Sequence, residues 1–183
     1  MSQPKPQSIV QPPPQDPDWL KPFLGHCHRR RYPAKTEFIH PGDAADSLFY
    51  LVSGQVTVFI EDEDGREIIL TYLNKGDFIG EMGLFVPMPK RSVMVRTRST
   101  CELAEISYHK LEQLFDGELR TYAKDILYAI GRQLTERLDA TSQKVSHLAF
   151  LDVTGRIAGT LLDLCKQPDA MTHPDGMQIR ITR

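Results

Sequence analysis

The sequence predicts an α+β fold that is mainly β: a β jelly roll followed by a long helix. Three patterns carry this expectation. Between Arg30 and Ser107 the chain consists of short runs rich in β-branched and aromatic residues, separated at regular intervals by glycine-bearing turns. Beyond Ser107 the apolar residues recur at helical spacing instead. The 183 residues are 40% hydrophobic and 25% charged, a balance that can bury a core of its own. No run of eighteen apolar residues exists, and the N-terminus lacks the apolar stretch of a signal peptide, so no membrane segment is expected and the cytoplasm is the default compartment. A formal charge of −2 gives no compositional reason to expect nucleic-acid binding. Cys27, Cys101 and Cys165 are odd in number and share no C-x-x-C spacing, which argues against a disulfide framework or a zinc finger and for reduced thiols.

Taken in order, residues 1–22 hold seven of the thirteen prolines and read as a disordered, solvated arm that cannot repay its ordering entropy. Strands are expected at Ser47 to Val52 before Gly54, Gln55 to Ile60 before Asp64-Gly65, Glu67 to Leu73 before Lys75-Gly76, and Val93 to Thr97. The second and third form a hairpin with a charged tip, Glu61 to Arg66. Ser107 reads as the cap of a short helix that ends near Asp116-Gly117. Then Leu127, Ile130, Leu134, Leu138, Thr141, Val145 and Leu148 follow one another at spacings of 3, 4, 4, 3, 4 and 3, a heptad seam with one stutter. Such a helix either lies on the β domain or pairs with a second copy, and polar Thr141 in mid-seam leans toward the dimer. A last helix is expected over Phe150 to Lys166, then a turn at Met171 to Gly176 and a strand from Met177. The expected organisation is an arm (1–22), a β domain (23–122), a dimer helix (123–148) and the start of a further domain (149–183).

The densest chemistry lies in Gly76 to Phe85 and its continuation Val86-Pro-Met-Pro-Lys-Arg91-Ser92. Gly80 and Gly83 precede or open a helical turn at Glu81 to Phe85 whose outward N–H groups attract an anion. Arg91 and Ser92 add a bidentate charged donor and a hydroxyl suited to one phosphate. Glu81 suits a sugar hydroxyl, by the logic that places an acid on ribose in dinucleotide sites. Phosphate with sugar implies a nucleotide. The same spacing also fits a surface ion pair of Arg91 with Glu81 and two hairpin glycines. Enzyme chemistry finds no support: no Ser/His/Asp order, Walker loop or paired carboxylates stand out, and Cys101 has no adjacent base. His26-x-His28 lacks the third histidine and the glutamate of a metal-binding barrel, so no metal is expected.

From His26 onward the chain resembles the bacterial cAMP receptor protein (catabolite activator) family. The matching stretches are Tyr72 to Phe85, Arg91-Ser92, Cys101 to Tyr108, His147 to Arg156 and Lys166 to Arg183. The resemblance implies a cyclic-nucleotide-binding regulator with cAMP as effector. Arg91 and Ser92 would hold the cyclic phosphate, and Glu81 with the Gly80 backbone the ribose 2′-OH. Arg137, Thr141 and Ser142 would reach the adenine, the last two serving both subunits of a homodimer, with Val58, Leu70 and Thr71 as walls. Promoter DNA and RNA polymerase are the implied partners, the polymerase surfaces mapping onto Met171 to Gly176, which includes Thr172, His173 and Pro174, and onto His28, Arg30 and Lys110. In that family the helix-turn-helix follows the residues matching Ile181-Thr182-Arg183, so the recognition helix is expected to lie outside this sequence. The stretch between Tyr108 and Thr141 is longer than in the best-known members and is more like the Clp regulators of xanthomonads, some of which answer to cyclic di-GMP; that ligand, or a sensor acting through protein contacts alone, is the alternative reading.

Overall fold

A computed structural model describes residues 16–150, 152–165, 171–173 and 176–178. In chain order these form α1 (Leu20–His26), β1 (His28–Tyr32), β2 (Glu37–Ile39), β3 (Ser47–Ser53), β4 (Gln55–Glu61), β5 (Glu67–Asn74), β6 (Phe78–Ile79), α2 (Met82–Phe85), β7 (Met94–Thr97), β8 (Cys101–Ser107), α3 (Tyr108–Asp116), α4 (Ala123–Phe150), α5 (Val153–Cys165), β9 (Met171–His173) and β10 (Gly176–Gln178). The chain divides into two compact units, Met1–Ile130 and Gly131–Arg183.

In the first unit two antiparallel four-stranded sheets, ordered β1-β8-β3-β6 and β2-β7-β4-β5, make the predicted mainly-β fold. Alternation along the strands sends one set of side chains inward. Phe49, Leu51, Ile79, Cys101 and Leu103 from one sheet meet Ile39, Val56, Leu73 and Val95 from the other in a single buried cluster. In the β4–β5 hairpin Val58 pairs with Thr71 but Phe59 pairs with Ile69, so Leu70 is the extra residue of a bulge. Val58 packs half-buried against the core cluster, whereas Leu70 is exposed.

Residues 1–22 do not form one arm. Trp19 is 8% exposed, Leu20 is buried, and α1 begins at Leu20. The reason is an aromatic nest. The Trp19 and Phe23 rings lie 5.9–6.1 Å from those of Tyr50 and Phe78, and fully burying a ring such as Phe23 contributes about 1.5–3 kcal/mol. Pro22 sits in the first helical turn, where a missing N–H costs nothing. Residues 1–15 lie outside the described residues.

Ser107 caps α3 as the sequence suggests, its hydroxyl accepting from the Lys110 N–H at 3.3 Å. Leu111 and Leu114 of α3, Leu119 in the following turn, and Ile126 and Ile130 at the start of α4 are all buried. In the second unit Leu138, Val145 and Leu148, the later seam positions of α4, are exposed. The last helix starts at Val153, not at Phe150, because Asp152 Oδ1 accepts the Gly155 N–H at 2.8 Å and sets the boundary there. Met171 to His173, expected as turn, is a strand because Gly176 to Gln178 supplies its antiparallel partner. Thr172 and His173 lie in β9, while Pro174 and the stretch 179–183 lie outside the described residues.

Candidate functional site

β6 ends at Ile79, and the chain turns at Gly80 with φ +85°, a conformation that favours glycine. Space is the second requirement there: a Cβ on Gly80 would collide with the Arg91 guanidinium and lie 3.0 Å from the Ser47 carbonyl. Gly83 needs no unusual dihedral, but a Cβ would fall 2.5 Å from the Tyr108 hydroxyl. Neither glycine closes a hairpin. Both leave room for side chains arriving from elsewhere in the sequence.

Arg91 is fixed first through its backbone. Its N–H donates to the Asp43 carbonyl at 2.8 Å and its carbonyl accepts from the Gly42 N–H at 2.9 Å, beside the isolated bridge of Ala44 with Lys90. The guanidinium then donates to the Ser47 carbonyl through Nη2 and to the Tyr108 hydroxyl through Nη1 at 3.3 Å, with the Phe49 ring centroid 5.9 Å away. Tyr108 in turn donates to the Gly80 carbonyl at 2.5 Å. Burial pushes the Tyr108 phenol up, with the Arg91 charge pulling it the other way. Ser92 is exposed beside Arg91.

Two expectations change here. The N–H groups of the α2 turn do not all point outward: Gly83 N–H donates to the Gly80 carbonyl at 3.2 Å and Leu84 N–H to the Glu81 carbonyl at 3.1 Å. The charged donor in this region is therefore the guanidinium. Glu81 is 3% exposed, which removes the reading of Arg91 and Glu81 as a surface ion pair. A carboxylate so deeply placed is costly without hydrogen-bond partners, so its position is a built one.

The first unit brings Gly80, Glu81, Arg91 and Ser92 into one corner. Val58, Leu70 and Thr71 sit around the β4–β5 bulge. Arg137, Thr141 and Ser142 lie on α4 in the second unit, Arg137 and Thr141 four residues apart on one face. Thr141 and Ser142 are exposed, and the Ser142 hydroxyl donates back to the Leu138 carbonyl at 2.9 Å. Tyr108, Ser47 and Phe49 complete the surroundings of the guanidinium. No local pattern marks them, since Tyr108 is 17 positions from Arg91 and 28 from Gly80.

His28, Arg30 and Lys110 also converge, on a separate cleft of about 320 Å³ lined by them with His26, Asp46 and Glu105 among others. His28 and Arg30 share a face of β1 two residues apart, and Lys110 is held by donating to the His26 carbonyl at 2.7 Å. Among the described residues no three His, Cys, Asp or Glu side chains are grouped so that they could hold a metal ion, and no helix is long and apolar enough to cross a membrane.

Residues 29–118 match the family described as cyclic nucleotide-binding domain. The chain is 56% identical over 170 residues to the cAMP-activated global transcriptional regulator CRP of Salmonella typhimurium, covering 93% of this chain and 79% of that protein. It is 56% identical over 167 residues to the cAMP-activated global transcriptional regulator Vfr of Pseudomonas aeruginosa, covering 90% and 76%. The solved structure of the c-di-GMP-responsive global regulator CLP of Xanthomonas campestris superposes with a TM-score of 0.84 at 53% identity, covering 89% of this chain and 79% of that one.

Proposed function

Because this chain belongs to the cAMP receptor protein family of transcription regulators, we propose that it binds cAMP in the corner around Arg91 and regulates promoters as a homodimer in the cytoplasm, without catalysing a reaction. One observation carries the site. The Arg91 guanidinium is clamped by hydrogen bonds to two uncharged oxygens, the Ser47 carbonyl and the Tyr108 hydroxyl, so its charge is held in place without a carboxylate in those bonds to cancel it. A cyclic phosphate supplies the missing negative charge and finds the exposed Ser92 hydroxyl beside it. Buried Glu81 and the Gly80 backbone take the ribose 2′-OH, and the hydrophobic side of the ligand meets Val58 and Leu70 with Thr71. Arg137, Thr141 and Ser142 serve the adenine, and the exposed Leu138, Val145 and Leu148 form the dimer seam. Ligand contacts on residues of the seam give the two arrangements of the dimer different affinities for cAMP, which is what an allosteric effector requires.

The cleft of His28, Arg30 and Lys110 is the proposed contact with RNA polymerase, together with Thr172, His173 and Pro174, and promoter DNA is the proposed nucleic-acid partner. A second reading, cyclic di-GMP as effector, has one specific support: the likeness to the c-di-GMP-responsive regulator of Xanthomonas campestris. Isothermal titration decides between them. The expected result is heat of binding from cAMP and none from cyclic di-GMP; heat from cyclic di-GMP with none from cAMP overturns the cAMP assignment.

A further inference from the structure

Tyr108 opens α3, and its side chain touches each part of the corner around Arg91. The hydroxyl donates to the Gly80 carbonyl at 2.5 Å and accepts from Arg91 Nη1 at 3.3 Å, so both its donor and an acceptor lone pair are used. The ring lies against Gly83 so closely that a Cβ there would come within 2.9 Å of two of its carbons. One phenol thus joins the turn, the short helix and the guanidinium. The second guanidinium anchor is the Ser47 carbonyl, from the strand that faces the turn through Phe49 and Ile79.

We infer that Tyr108 is a positioning residue for cyclic-nucleotide binding: its hydroxyl fixes the Arg91 guanidinium against the Gly80 turn, so that phosphate meets an arginine already in place. The inference rests on the reading of Arg91 as the phosphate ligand. An arginine side chain carries large rotamer entropy, and anchoring it before the ligand arrives removes that cost from binding. A guanidinium has five N–H donors, and the two bonds to Ser47 and Tyr108 use two of them, so a phosphate oxygen is met while the clamp stays closed. Tyr108 keeps the proton that the Gly80 bond needs, because burial holds the phenol above its ordinary range.

The test is calorimetric titration of cAMP into the full chain and into Tyr108→Phe, Gly83→Ala and Arg91→Leu, with the Arg91 Nε–H signal followed by NMR. Tyr108→Phe keeps the ring on Gly83 and removes only the hydroxyl. Its affinity is expected to fall about tenfold, with the melting temperature nearly unchanged and the Arg91 Nε–H signal weakened by faster side-chain motion. A purely structural tyrosine would not move that signal. Gly83→Ala displaces the ring with its hydroxyl intact and is expected to weaken cAMP as well, which keeps the test open should Tyr108→Phe fold poorly. Unchanged cAMP affinity in Tyr108→Phe and Gly83→Ala, beside lost affinity in Arg91→Leu, overturns the role of Tyr108 and leaves the site assignment standing. Unchanged affinity in Arg91→Leu overturns the site assignment itself.

Discussion

Two arginines five residues apart, Arg91 and Arg96, are held in opposite ways. Arg96 on β7 donates through Nε to Glu37 at 2.9 Å and through Nη2 and Nη1 to the two carboxylate oxygens of Glu67 at 2.6 and 3.1 Å, with the Phe59 ring centroid 4.4 Å from its Cζ. It thereby ties β2 to β5 across β4, and its pKa is raised chiefly by the Glu67 hydrogen bonds. Arg91 hydrogen-bonds a carbonyl and a phenol. A guanidinium bonded to carboxylates is a fastener whose charge is already matched. One bonded to neutral oxygens is fixed in space and keeps its field for an incoming anion. Partner chemistry, more than the residue type, separates the structural arginine from the one proposed to bind phosphate.

The largest expected effect tests the binding side. Arg91→Leu should cost cAMP roughly 2–5 kcal/mol, by leaving a desolvated phosphate charge unpaired, with little change in melting temperature; calorimetry showing wild-type affinity would erase the contrast. The converse substitution is smaller and lands on stability. Arg96→Leu should lower stability by about 1–2 kcal/mol, since its pairs are partly solvent-screened, a fall of several degrees in melting temperature. Its cAMP affinity should stay within about twofold, and a larger loss of affinity would mean that the two arginines are not separable. The smallest effect sharpens what charged partners do when fully exposed. At the hairpin tip the Asp62 carboxyl is held below its ordinary value of 3.8, chiefly by the Arg66 backbone N–H and less by the Arg66 side chain. A depressed carboxylate adds stability above its unfolded pKa and loses it as the pH falls through the lower folded value. Arg66→Gln keeps the backbone donor, so an NMR titration of Asp62 should move only part of the way back toward 3.8, with no measurable change in melting at neutral pH.

Much of the β domain is readable locally because strand alternation, turn glycines and the charged tip of the β4–β5 hairpin are neighbours in sequence. The cap of α3 is readable for the same reason. What the sequence hides is set by long-range contact. Trp19 looks like part of a proline-rich arm until Tyr50 and Phe78 are seen beneath it. Gly80 and Gly83 look like phosphate-loop glycines, yet what they make room for is Arg91, Ser47 and Tyr108. Two of the outward donors expected of the α2 turn, the N–H groups of Gly83 and Leu84, are spent on the Gly80 and Glu81 carbonyls just before it. Leu70 looks like one more alternating strand residue, and only the register shift reveals it as the bulge.

Ser47 belongs to two sites at once. Its carbonyl receives Arg91 on one side, and on the other it lines the cleft of His28, Arg30 and Lys110, next to its strand partner Ser107. The two surfaces therefore meet at one residue, of which Arg91 uses only the backbone carbonyl. A substitution at Ser47 can thus recontour the cleft while the carbonyl that seats Arg91 is retained, since any residue at that strand position presents the same backbone acceptor.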